Sequence, residues 1–299
     1  MEQEQIKNYG LVIDEPRPED YKFGAVGDTP LNSSGDWTDY LPERELQNKG
    51  FETFACVTFS ALNCLETLVI FKYDIPLNLS DRFTAKMSGT TNKGNSGYNV
   101  ANSIRHDGFV DEPEYPFGGK TFAEFYAEIP QDIVDLAKEM ASGYDVSYEW
   151  VQQSEWKEAL KFAPLQVYVG AWPQPDEDGI YPKSSIGINH AVMLYKIDDE
   201  GYYYIYDHYD NVNKKLAPDF IFYPSAIRYS INNKNMIQIL KEKDSPHYYL
   251  VGNGKKKMIV DYVTYKGLLE LGFEEVQEVD NLEDLEPAGT IIQANRIIN

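Results

Sequence analysis

The chain has 299 residues, 42% of them hydrophobic, which suits one large domain, or a medium domain with a small companion, and provides for a sizeable core. A formal net charge of −21 at pH 7 repels phosphate backbones and anionic bilayers alike, so neither nucleic acid nor a membrane surface is an expected partner. No run of 18 apolar residues appears, and on that ground no membrane span is expected.

The opening "MEQEQIKNYG" is polar and acidic, without the basic start and apolar run of a signal peptide, so a cytoplasmic or virion-associated location is the expectation. Residues 1–35 are rich in Pro, Gly, Asp and Glu and read as an extended arm. Residues 56–72 follow, with Val57, Phe59, Leu62, Leu65, Leu68 and Val69 at helical spacing. After the loop "SGTTNKGNSGYN", the segment "VANSIRHDGF" predicts a short helix ending at Gly108. "TFAEFYAEIPQDIVDLAKEMAS" predicts helix with a break at Pro130. The character then changes. "LQVYVGAW", "NHAVMLYKI" and "GYYYIYDHY" are rich in β-branched and aromatic residues and predict strands, with "DDEG" a turn between the last two. Helices first and strands later predict an α+β domain over 36–235, with a helical half and a sheet-rich half. A second pattern occupies 241–299. "YYLVGNGKKKMIV" predicts a hairpin around Asn-Gly, "YVTYKGLLELG" a short helix stopped by Gly272, and "FEEVQEVD" and "TIIQANRII" further strands.

The chain has two cysteines, Cys56 and Cys64. On one helix their Cα atoms would lie about 12 Å apart, too far for a disulfide, so both are expected as free thiols. Cys56 stands at the helix start, where free N–H groups and partial positive charge favour a thiolate and can hold an oxyanion; the alternative is a small buried hydrophobe. Cys64, two turns in among leucines, is expected to be core. A thiol nucleophile needs a base. Of the four histidines, His190 opens a predicted strand 134 residues after Cys56, and Asp207 ends the next strand, so an antiparallel pair would bring them together. His106 reads as a surface residue, His247 as the start of the terminal hairpin, and His208 as facing away from Asp207 by strand alternation. No His/Cys/Asp cluster has metal-ligand spacing, and neither a metal nor another cofactor is expected. "GNGKKK" lacks the strand-to-helix context of a phosphate loop.

These segments, in this order, resemble the papain family of cysteine peptidases over residues 36 to about 229. "GDWTDYLPERELQNKGFETFACVTFSALN" is similar to the family's opening and nucleophile helix. "GNSGYNVANSIRHDGFVDEPEYPF" is similar to its substrate-binding loop and the helix after it. "NHAVMLY" is similar to its histidine strand and "YYIYDHYD" to the strand carrying its orienting asparagine. The resemblance implies a papain-like two-lobed fold, a helical half and a β-barrel-like half with the site between them. It implies peptide hydrolysis with Cys56 as nucleophile, His190 as base and Asp207 where the family has Asn. Gly97 falls on the glycine that pairs with substrate, Tyr98 follows it, and Asn189 is the polar residue before the histidine. The family's oxyanion glutamine aligns with Lys49, whereas the nearest glutamine is Gln47; Gln47 after a loop shift, the Lys49 ammonium, or backbone alone are the alternatives, Gln47 being preferred because loops absorb small shifts. The family's shielding tryptophan is matched by Tyr209. The likeness is to phage or bacterial members. The tail resembles a small α+β module of bacterial envelope and phage proteins. The expected partner is a polypeptide substrate, with other virion or envelope proteins beside it. The alternatives to a general peptidase are a virion or surface structural protein on the same scaffold and a cell-wall peptide amidase or endopeptidase.

Overall fold

The computed structural model describes residues 7–25, 31–119, 121–210, 212–233, 238–243, 245–252, 255–259, 264–266, 277–279 and 286–291. They fall into two compact units, up to Ile231 and from Asn232 onward.

The first unit is built around helix α1, Cys56–Tyr73, whose residues from Cys56 to Val69 are all buried. By length and composition this helix could cross a bilayer, contrary to the expectation from apolar runs, but most of it is enclosed by the fold. A helix apolar on every side belongs in a core as readily as in lipid. Just before α1, Phe54 sits at φ 55°, in the left-handed region. The helix ends at Asp74, also left-handed, whose N–H bonds to the Ile70 carbonyl. Around it lie α2, Asp81–Met87, and α3, Gly97–His106, each capped by a serine: Ser80 Oγ accepts from Phe83 N–H, and Ser96 Oγ from Asn99 N–H. The helical stretch broken at Pro130 is resolved into α4, Phe122–Phe125, and α5, Gln131–Ser142.

The other half is a seven-stranded sheet. Its members are β1, Tyr144–Gln152, β2, Leu165–Val169, β3, Ile180–Tyr181, β4, His190–Ile197, β5, Tyr203–Tyr206, β6, Asn213–Leu216, and β7, Ser225–Asn233, in the order β1-β7-β2-β4-β5-β6-β3. A short helix α6, Trp156–Ala159, lies between β1 and β2. β4 runs antiparallel to β2, with His190 opposite Val169, and antiparallel to β5. α1 packs against β4 and β2, so the helix tip and the start of the central strand share one end of the core. A buried ion pair joins β1 to β7, Arg228 Nε to Glu149 Oε1 at 2.7 Å.

The segment 7–25 has no helix and is bound to this unit rather than standing off it. Leu11 bridges in parallel to Asn95, and Lys22 to Trp150. Gly10, at φ +107°, crosses the Phe54 carbonyl so closely that a Cβ would stand 2.0 Å from its oxygen; only glycine fits there.

The second unit holds a five-stranded sheet of β8, Gln238–Glu242, β9, Tyr248–Gly252, β10, Lys255–Ile259, β11, Gln277–Val279, and β12, Glu286–Ile291, in the order β11-β8-β9-β10-β12. β9 and β10 form the antiparallel hairpin expected around Asn-Gly, and β12 runs parallel to β10. Residues 264–266 are helical; Gly272 lies outside the described residues.

Candidate functional site

Cys56, the first residue of α1, and His190, the first of β4, are both 0% exposed. α1 packs against β4, so the helix that Cys56 opens lies on the strand that His190 opens. Asp207, just past β5, takes His190 Nε2 on Oδ1 at 3.0 Å. His190 Nδ1 has no hydrogen-bond partner among the described residues. The imidazole is thus held at one nitrogen and free at the other, the arrangement a base needs.

Asp207 is wholly buried and keeps its charge through donors. Oδ1 also accepts the Tyr209 N–H at 2.9 Å, while Oδ2 accepts Trp172 Nε1 at 2.8 Å and Lys214 Nζ at 2.7 Å. Burial works against the charge, but His190, then Lys214 and His208, hold the carboxyl well below the usual range. Sequence reasoning assigned the shielding aromatic to Tyr209. The indole on Asp207 is Trp172, just after β2, and the Tyr209 hydroxyl instead donates to Glu52 Oε2 at 2.7 Å. Lys214 gave no signal, since only the β5–β6 register, Ile205 opposite Lys214, turns it inward.

His208 corrects the alternation argument. Residues 207–210 lie past the end of β5, so strand geometry does not apply, and the His208 ring stands 5.5 Å from that of His190 and stacks on Phe59. The spacing argument against a metal cluster is corrected too, because one donor atom each of His190, Asp207 and His208 lie within 4.8 Å of one another. The donor set does not fit a resident ion: the Lys214 ammonium and the His190 Nε2 already occupy the two oxygens of the Asp207 carboxylate.

Gln47 is buried, and its Nε2 donates to the Tyr9 carbonyl and to Glu52 Oε1, each at 3.1 Å. Lys49 points elsewhere, into a cavity of about 420 Å³ shared with Glu43, Glu45 and Glu112. Of the two side chains weighed from sequence, Gln47 is the buried one, and it shares Tyr9 with His190. Glu52, which sequence reasoning missed, fixes it there.

The arm runs over His190, Tyr209, Gln47 and Asn189. The Tyr9 ring lies 4.4 Å from the His190 ring and 4.7 Å from Tyr209. Asn189 Nδ2 donates to the Lys7 carbonyl at 2.9 Å, and Lys7 Nζ sits 4.0 Å over the Tyr209 ring. Gly10 O accepts from Asn95 N–H at 2.9 Å, and Val12 N–H donates to Asn95 O at 2.8 Å. This ladder falls on Asn95, two residues before Gly97. Gly97 opens α3, where a Cβ would come within 2.0 Å of the Tyr168 hydroxyl. The Tyr98 N–H donates to Asp14 Oδ2 at 2.7 Å, and its ring lies under Arg17 at 3.6 Å. Burial pushes the Cys56 thiol up, with the negative charge of Glu52 and Asp207 adding to it. The N–H groups of Ala191 and Val57 oppose the rise without overcoming it. The thiolate expected from the helix tip is therefore not favoured in this buried setting.

No family model matches the chain. No curated protein sequence matches it. Solved structures do. The cysteine protease and lectin-like domains of Cwp84, a surface layer associated protein of Clostridium difficile, superpose with a TM-score of 0.57 at 12% identity, over 82% of this chain and 61% of that one. Xylellain, a cysteine protease from Xylella fastidiosa, gives 0.53 at 15% identity, over 76% of this chain and 97% of that one. Clostridial Cwp84 after propeptide cleavage gives 0.52 at 12%, and the present chain spans 56% of its length. At these identities the likeness speaks for architecture. The chain has the papain-like two-lobed α+β fold.

Proposed function

We propose that the chain is a papain-like cysteine peptidase with Cys56 as nucleophile, His190 as base and Asp207 as the group that orients it. One observation carries the proposal. Asp207 holds His190 by Nε2 and leaves Nδ1 free, and Cys56 opens the helix that packs against the strand His190 begins. The thiol would pass its proton to His190 and attack a peptide carbonyl, forming a tetrahedral adduct. His190 would return the proton to the leaving amine, giving the acyl-enzyme, and then draw a proton from the water that hydrolyses it. The adduct's oxygen would be held by N–H groups at the start of α1 and by Gln47 Nε2, the donor that now carries the Tyr9 carbonyl. Asn189 and the 95–98 segment, now bonded to the arm, would bind the substrate chain on either side. Turnover therefore needs the arm withdrawn.

The experiment is hydrolysis of an unfolded protein substrate by the full chain and by a chain lacking residues 1–15, each with and without Cys56→Ala. Activity in the shortened chain that Cys56→Ala lowers by about three orders of magnitude supports the proposal. A folded, shortened chain that neither cleaves peptide nor forms an adduct with a thiol-directed epoxide overturns it, and leaves a structural role on the same scaffold.

A further inference from the structure

Lys214 is a buried cation with no part in the bond-making steps above. It is 1% exposed, and its ammonium lies 2.7 Å from Asp207 Oδ2 and 2.6 and 2.7 Å from Asp210 Oδ1 and Oδ2. The Trp172 ring, 5.0 Å away, and the Tyr181 ring, 5.7 Å away, wall it in. Asp210 is half-exposed and Asp207 fully buried, so the lysine links an interior carboxylate to a surface one. Burying an ammonium is unfavourable unless its partners are close and well placed, and here all three oxygens are.

A bare carboxylate 3.0 Å from an imidazole stabilises the imidazolium strongly, because opposite charges at that range in a dry site are little screened. A cation on the far oxygen of the same carboxylate offsets that pull. It also fixes the carboxylate plane, so that Oδ1 is left for His190 and the Tyr209 N–H.

We propose that Lys214 is a positioning residue for the candidate peptidase site: it locks the Asp207 carboxylate toward His190 and limits how strongly that carboxylate holds a proton on the imidazole. Its use in turnover rests on the peptidase proposal; its effect on His190 does not. The charged and titratable groups around His190 are Asp207, Lys214 and Asp210, then Cys56 at the helix tip, Tyr9 and Lys7 from the arm, Tyr209, Glu52 beyond it, and His208. Of these, Lys214 is the cation bonded directly to Asp207.

The test is an NMR pH titration of the His190 imidazole in the full chain, assigned by its loss in His190→Gln. It compares Lys214→Met, Lys214→Arg, and Lys214→Met with Asp210→Asn, the last removing the carboxylate left unpaired by the first change. The expected result is a rise in the His190 pKa of about one to two units in both methionine variants. Lys214→Arg should return it to within a few tenths of the parent. In the chain lacking residues 1–15, the alkaline limb of the kcat/KM profile should move up by the same amount. A folded Lys214→Met, Asp210→Asn chain with an unmoved His190 titration overturns the inference. A moved titration without any peptide cleavage upholds the electrostatic role and counts against the peptidase proposal alone.

Discussion

Asp81 opens α2 with 2% of its surface exposed, and its Oδ1 has no donor among the described residues. Its side-chain neighbour is the carboxyl of Glu45, with Glu66 and Glu112 adding negative charge. Burial pushes Asp81 well up, Glu66 up to about 8 and Glu112 up to about 7. Groups raised in this way keep protons in the folded chain that the unfolded chain has already released. Stability from this cluster is therefore full at pH below the ordinary carboxylate range and falls as pH rises toward 8. Asp81→Asn removes the charge at constant shape and gives Glu45 a donor. It should raise stability by about 1–2 kcal/mol at pH 8, a few degrees in Tm, and by much less at pH 5. Thermal melts at the two pH values check both the sign and the difference. A variant that melts lower at pH 8 would show that Asp81 is charged and paired there. None of this was legible from the sequence, because the four acids are spread from Glu45 to Glu112 and only the packing of α1 and α2 against their loops gathers them.

At the scale of elements, the arm is the decisive one. It passes over His190 and bonds to Gln47, Asn189 and the 95–98 segment, largely through its own backbone groups. Such bonds carry almost no side-chain signature, so the Pro/Gly/Asp-rich stretch was readable as extended but its path was not. Deleting residues 1–15 should speed alkylation of Cys56 by iodoacetamide at pH 7.5 by tenfold or more, followed by mass spectrometry, since it strips Tyr9 from His190 and Gly10 from the Phe54 carbonyl, two residues before the buried thiol. Val12→Pro, which deletes the N–H bonded to Asn95 at 2.8 Å, should give a smaller increase in the same direction. Equal rates in all three chains would mean that the arm leaves the sulfur accessible. Helix α1 and strands β2, β4 and β5 were legible because apolar periodicity and aromatic runs report burial directly. β1 and β7 were not read. In "YDVSYEWVQ" and "SAIRYSINN", polar residues interleave with apolar ones, and the charges inside, Glu149 and Arg228, are satisfied by each other across neighbouring strands.

At the scale of the molecule, the chain divides at Ile231, and the apolar clusters built on α1, on α5 with Phe83, and on Phe59 with Phe125 all lie before that point. Residues 1–231 expressed alone should therefore fold and unfold in urea in one transition, with the midpoint that His190 resonances report in the full chain. A lowered midpoint would show that the first unit draws stability from the rest. By itself the sequence determined the class of the fold, the hairpin of the tail and the approach of Asp207 to His190, because burial periodicity and residue spacing along strands are local properties of the chain. What covers the thiol, which indole and which cation hold Asp207, and where Gln47 donates were decided only by tertiary structure. Each of those contacts joins residues distant in sequence, through backbone groups or through strand register, and neither leaves a pattern in the order of side chains.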